Sequence, residues 1–275
     1  MRLLDFLSPS SESDTPESDN ALSRRDAVDR LRKLGLGAAA LSLPFALVGR
    51  SRVARAQSMG GAVDILNYAL TLEYLEASYY RQGLDATLES GDTLINGDAR
   101  TIYGQIAAHE DAHVTVLADT IDQLGGTPVE FADEDFDFTA GGAFDPFGDY
   151  ATFLLLSQAF EDTGVRAYKG QAAALAGNEL LTPALQIHSV EARHAAEVRR
   201  LRAEQGASLK PWITRAESGS APAAVYADED TTVQAGVDQT MLGDYTLDAI
   251  TEAYDEPLTM DAVAGENSIA TPFLA

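Results

Sequence analysis

Apolar residues recur along this chain every three or four positions, the spacing of one face of a helix. One stripe, Leu66, Leu70, Ala77, Tyr80 and Leu84, predicts a helix from about Val63 to Leu84. A second, Ile102, Ile106, Leu117, Ile121 and Leu124, predicts a helix from about Asp98 to Leu124, stopped by Gly125, Gly126 and Pro128. A third helix is expected from about Phe147 to Leu175, broken by Gly177 and Asn178. A fourth begins near Leu180, takes Pro183 in its first turn and reaches about Gln205. Residues 131–147, rich in Gly, Asp and Phe, read as a long crossing connection, and no alternating pattern competes as a strand. The expected fold is all-α: a four-helix bundle with one long crossover. Residues 207–275 differ in kind. Their linker-like "ESGSAPAAVYADEDTT" and short helical patterns in "YTLDAITEAYDEPLTMDAVAG" predict an irregular C-terminal extension packed on the bundle, with Trp212 pinning its start.

The stripes carry charge where they should be apolar. Glu73 sits on the first, with Tyr80 seven residues later; the second carries Glu110 and His113. The third carries Glu161 and Tyr168, again seven apart, and the fourth Glu191 and His194. The order E-x6-Y, then E-x2-H, is therefore written twice, an internal repeat of a helix pair. Residues three apart share a helix face, so each Glu-x-x-His pair can grip one ion from neighbouring turns. One Glu from each of two helices, with Glu-x-x-His from each of the others, is the arrangement by which four-helix bundles hold two metals.

Residues from about 62 to 205 resemble the ferritin-like superfamily of di-iron and di-manganese proteins, which includes the rubrerythrins. The stretches "LEYLEASYY", "LGGTPV", "FEDTGVRAY" and "VEARHAAEVRRL", with "DEPLT" at 255–259, are most similar to exported bacterial ferritin-like-domain proteins and their plant desiccation-related relatives. The resemblance implies metal ligands at Glu73, Glu110, His113, Glu161, Glu191 and His194, all six positions being filled.

Charge supports the same reading. Four buried carboxylates cannot be neutralised by two histidines, and burying unpaired charge costs at least several kcal/mol per ion. Two divalent cations cancel it. Carboxylates and imidazoles without sulfur favour iron or manganese, iron before manganese, and disfavour a structural zinc site. Mutual repulsion predicts that Glu110→Ala is neutral or stabilising in metal-free protein. Tyr80 and Tyr168 lie beside the site, either as hydrogen-bond partners of the ligands or as core tyrosines. Glu76 faces nearly the same way as Glu73. It reads as an extra ligand or as part of a solvated bundle edge. His109 and His188 do not correspond in the repeat and read as non-ligands.

Composition narrows the setting. The chain has no cysteine, which excludes disulfides and thiolate sites, and a formal net charge of −24, which disfavours nucleic acid. A basic stretch containing Arg24 and Arg25, an apolar run from Leu34 to Val48 and "ARA" at 54–56 have the order of an export signal, with Ser23-Arg24-Arg25 resembling a twin-arginine motif. Residues 1–56 are thus expected to be cleaved after Ala56, leaving the bundle over 57–206, the extension over 207–275, and no stable membrane span. The remainder carries 36 acidic and 10 basic residues, a surface suited to high salt or to an ordinary acidic periplasmic protein.

The expected function is an exported di-metal protein of the periplasm or envelope, reacting with oxygen or peroxide as oxidase, peroxidase, catalase or ferroxidase. The alternative is a non-enzymatic stress-protective or envelope protein with a structural metal site. A storage cage fits the long crossover and the tail poorly, so a monomer or dimer is expected.

Overall fold

The computed structural model describes residues 52–275, with side chains from Gly61 onward. The expected twin-arginine motif and apolar run lie outside the described residues. Four long helices are present: α1 (Arg52–Asp85), α2 (Gly97–Gln123), α3 (Tyr150–Gln171) and α4 (Leu181–Glu204). α1 packs along α2, and α3 along α4. α1 begins earlier than its stripe predicts, so the expected cleavage point after Ala56 falls within its first turns. α3 begins later than expected because the Asp149 carboxylate caps it, accepting from the Thr152 amide at 2.9 Å and its hydroxyl at 2.6 Å. α2 stops where Gly125 adopts φ +75°, which lets the Gly125 and Gly126 amides turn back onto the carbonyls of Asp122 and Ile121 at 2.9 and 3.0 Å.

The core divides into two apolar ends. One is aromatic: Tyr79, Tyr80, Tyr103, Phe153 and Phe160 are buried together, with the Tyr79 and Phe153 rings stacked at 4.9 Å. The other is mainly aliphatic, built on Leu66, Leu70, Leu117, Ile121 and Ile187. The interrupting polar residues form a layer between these ends.

The crossover is an integral part of the core. Phe136 and Phe138 bury into the aromatic end. The C-terminus stitches the connection down, through Asp137 N–H to the Phe273 carbonyl and Ala275 N–H to the Asp135 carbonyl, both 2.9 Å.

The extension contains two short helices, α5 (Leu247–Thr251) and α6 (Met260–Ala264), each capped by a threonine hydroxyl, Thr246 or Thr259. It also holds a two-residue hairpin, β1 (Val233–Gln234) and β2 (Val237–Asp238), too short to leave an alternating pattern. Apolar contacts from Leu258, Val263, Ile213 and Val225 dock it, as expected. Trp212 is half exposed and does not pin it. Buried charge does much of that work instead. Arg166 of α3 meets Glu229 at 2.7 Å and also donates to the carbonyls of Val225, Ala227 and Glu256. Arg199 of α4 forks onto Asp162, which also accepts from the Tyr226 hydroxyl at 2.6 Å. At Gly170 a β-carbon would lie 1.9 Å from the Leu258 carbonyl oxygen, so only glycine lets the "DEPLT" segment lie on α3. No helix among the described residues is long and apolar enough to cross a membrane.

Candidate metal centre

The polar layer is supplied by all four long helices at mid-bundle. Glu73, Glu110, Glu161 and Glu191 are fully buried, and His113 and His194 nearly so. The structure brings all six together, in two groups. The Nδ1 atom of His113 lies 3.1 Å from Glu73, 3.0 Å from Glu110 and 3.1 Å from Glu191. The Nδ1 atom of His194 lies 2.8 Å from Glu110, 3.5 Å from Glu161 and 3.9 Å from Glu191. Glu110 and Glu191 belong to both groups, each offering one oxygen to either histidine, while Glu73 and Glu161 each serve one. The arrangement follows the sequence repeat: exchanging α1 with α3 and α2 with α4 maps one group onto the other.

Most of these atoms crowd together without satisfying one another, the exception being His113 Nδ1, which hydrogen-bonds Glu73 and Glu110. Glu110 Oε1, Glu161 Oε2, both Glu191 oxygens and His194 Nδ1 are sealed from water and make no aligned hydrogen bond. Polar atoms left so would cost about 1–3 kcal/mol each. Atoms this close, aimed at shared centres rather than at each other, have the disposition of ligands. In each group the ligand atoms all lie within 4.8 Å of one another. The residues present therefore fit a pair of cations.

Without metal the layer must hold protons. Burial and the charge on Glu191 raise the Glu73 carboxyl well above its usual range, and burial with the charge on Glu110 raises Glu191 to about 8. Burial pulls His113 down, but its neighbours Glu110, Glu191 and Glu73 prevail and push it up to about 12. For His194, burial is likewise outweighed, by Glu161 and Glu110, and it rises to about 11. Glu110 goes the other way. Burial alone would raise it, yet the hydrogen bond to His113 and the charge of His194, 2.8 Å away, hold it at about 2. The metal-free site at neutral pH is thus two imidazoliums around one firmly ionised carboxylate, with neighbours that favour protonation.

The two tyrosines mirror each other across the repeat. The Tyr80 hydroxyl of α1 donates to Glu161 of α3 at 2.5 Å, and the Tyr168 hydroxyl of α3 donates to Glu73 of α1. Each fixes the carboxylate that serves only one group. Glu76 is buried, not part of a solvated edge. Burial and Glu191 raise its carboxyl well above the usual range, and neither group of converging atoms includes it. Its counterpart in the repeat is Gly164, where a β-carbon would lie 3.3 Å from Glu76 Oε1 and 3.4 Å from Glu191 Oε2. The missing side chain makes room for the extra acid.

His188 bonds the Val165 carbonyl at 3.0 Å, away from the site. His109 is absent from both groups but touches the site from outside: its Nδ1 lies 2.9 Å from His194 Nε2, and its Nε2 lies 2.8 Å from Gln105. It orients the ring of His194. The repeat hid this role, because the residue corresponding to His109 is Val190 and only one half of the site has such a partner.

No curated protein matches the chain as a relative. Residues 61–204 match the ferritin-like domain family. The match takes in α2, α3, α4, α1 from Gly61 onward and every residue of the two groups, and the chain belongs to the ferritin-like domain family.

Proposed function

We propose that Glu73, Glu110, His113, Glu161, Glu191 and His194 hold two divalent ions, iron before manganese, and that the loaded protein reduces hydrogen peroxide outside the cytoplasm. The observation that carries the reading is the convergence of buried, largely unsatisfied carboxylate and imidazole atoms into two groups sharing Glu110 and Glu191. The donor set is hard, free of sulfur, and suited to either metal. A bound pair of such ions supplies one electron each, which with two protons converts one peroxide to two waters.

The chain's own residues set the conditions for that chemistry. Tyr80 and Tyr168 keep Glu161 and Glu73 oriented, and His109 holds the ring of His194. The two apolar ends exclude bulk water above and below the layer. Buried Glu76 is an additional proton-holding carboxyl beside Glu191.

Reduced, metal-loaded protein mixed with peroxide in a stopped-flow instrument is expected to lose the reduced-metal signal faster than free ions do. Glu161→Ala should abolish this while the circular dichroism stays helical. Oxidation no faster than that of free ions shifts the reading to a stress-protective protein with a structural metal site, as the desiccation-related resemblance suggests. For export, protein from the periplasmic fraction is expected to begin at Gln57. An intact N-terminus there would mean an uncleaved anchor.

A further inference from the structure

The two groups of converging atoms are alike in what they contain. Each joins Glu110 and Glu191 to one histidine and one further glutamate, His113 with Glu73 or His194 with Glu161. Each further glutamate accepts from a tyrosine of the opposite helix pair, Tyr168 or Tyr80. Around the histidines this equivalence fails.

His194 presents Nδ1 to its group, and its other ring nitrogen, Nε2, lies 2.9 Å from His109 Nδ1. The two rings are 9° from parallel, with centroids 5.2 Å apart. That separation is about the nitrogen–nitrogen distance plus the width of one ring. The contact therefore runs along the planes of both rings, as a ring N–H donating to a ring nitrogen requires. His109 Nε2 in turn lies 2.8 Å from the Gln105 amide. In the other half of the repeat Gln105 is matched by Gln186, but His109 is matched by Val190, which neither donates nor accepts. His113 has its Nδ1 among the carboxylates, and its Nε2 makes no hydrogen bond among the described residues.

A histidine that ligates through Nδ1 carries its one remaining proton on Nε2. At His194 that proton is donated to His109 Nδ1, which fixes the tautomer and the ring orientation and makes the ligating nitrogen more basic. His109 then holds its own proton at Nε2, where the Gln105 amide, turned to offer its oxygen, accepts it. At His113 no group among the described residues holds the outer N–H.

We propose that the two ions are bound unequally: the group of His194 takes the first, the group of His113 takes the second more weakly, and His109 is the positioning residue that sets this order. The inference rests on the metal-centre reading and adds which group fills first. Glu76, the other break in the repeat, belongs to neither group and stays in place in every variant below.

Anaerobic titration of the purified chain, stripped with chelator, with manganous chloride tests it, the electron paramagnetic resonance of free manganese reading each step. Wild type is expected to bind two ions in two resolved steps. Neighbouring cations repel, so resolved steps alone do not decide, and the variants at His109 do. His109→Leu should weaken the first step about 10- to 100-fold, the loss typical of a partner that orients a metal ligand. It should leave the second step nearly unchanged, because the second ion already enters a group without such a partner. His109→Asn, whose side-chain oxygen can accept from His194, should recover much of the first step. Should circular dichroism show the leucine variant unfolded, His109→Ala takes its place. A loss confined to the second step, an equal loss in both, or no loss overturns the proposal and leaves the metal centre standing. Wild-type protein that takes up neither manganese nor ferrous iron overturns the metal centre itself, and this inference with it.

Discussion

Glu191→Gln is expected to raise the melting temperature of the metal-free protein at pH 7, and to remove most of the stabilisation that metal brings. Glu191 is fully buried, and burial with the charge on Glu110 raises it to about 8, so the metal-free protein carries it mainly protonated at neutral pH. Glutamine has the same shape and charge as that form but, unlike Glu191, does not ionise when the chain unfolds, so the variant is spared the cost of taking up a proton on folding. Metal needs the anion instead, and Glu191 belongs to both groups. Metal at 100- to 1,000-fold above its dissociation constant stabilises by about 3–4 kcal/mol, roughly 5–15 °C for a chain this size. The pH dependence has a definite sign. A carboxyl raised from 4.5 to about 8 contributes stability that is complete below pH ~4.5 and lost as pH climbs through 8. Metal-free wild type should therefore lose stability over that window, and the glutamine variant should lose less. Loaded wild type should show the opposite slope, because metal displaces protons from Glu191, His113 and His194 and binds better as pH rises. Thermal melts with and without chelator across pH 5–8 measure all of this. Equal destabilisation of both forms at pH 7 would give Glu191 a purely structural role.

Glu110→Ala is expected to destabilise the metal-free protein by about 3–5 kcal/mol, the loss typical of removing one partner from a buried ion pair. A count of four repelling carboxylates predicts the reverse, a neutral or stabilising change. Geometry corrects the count. Glu110 reaches both His113, at 3.0 Å, and His194, at 2.8 Å, and is the carboxylate held down to about 2. Its removal leaves two buried imidazoliums short of their shared counter-charge. Denaturant unfolding in chelator reads the loss directly. An unchanged or raised midpoint would show that the metal-free layer is held by other means.

The fold was legible because four apolar stripes have helical spacing and their interruptions repeat. The six converging residues were legible for the same reason, since Glu-x-x-His on a core-facing stripe puts a carboxylate and an imidazole on neighbouring turns, where both can grip one ion. The features that left no trace in the pattern lacked a periodic signal. His109 has no counterpart in the repeat, so its contact with His194 appears only when α2 and α4 are laid side by side. Arg166, Arg199 and Asp162 sit where α3 and α4 meet the extension, and a charged residue on an outward stripe reads as solvated until its cover is known. Glu76 reads as exposed for the same reason, although Gly164 opposite it leaves the space it fills.

The most direct measurement is the metal content of the purified protein after anaerobic loading with ferrous iron or manganese and removal of excess, set beside that of Glu191→Gln. The two converging groups predict close to two ions per chain in the wild type and a clear loss in the variant. Wild-type protein that takes up neither metal would contradict the assignment of the buried layer as a metal centre.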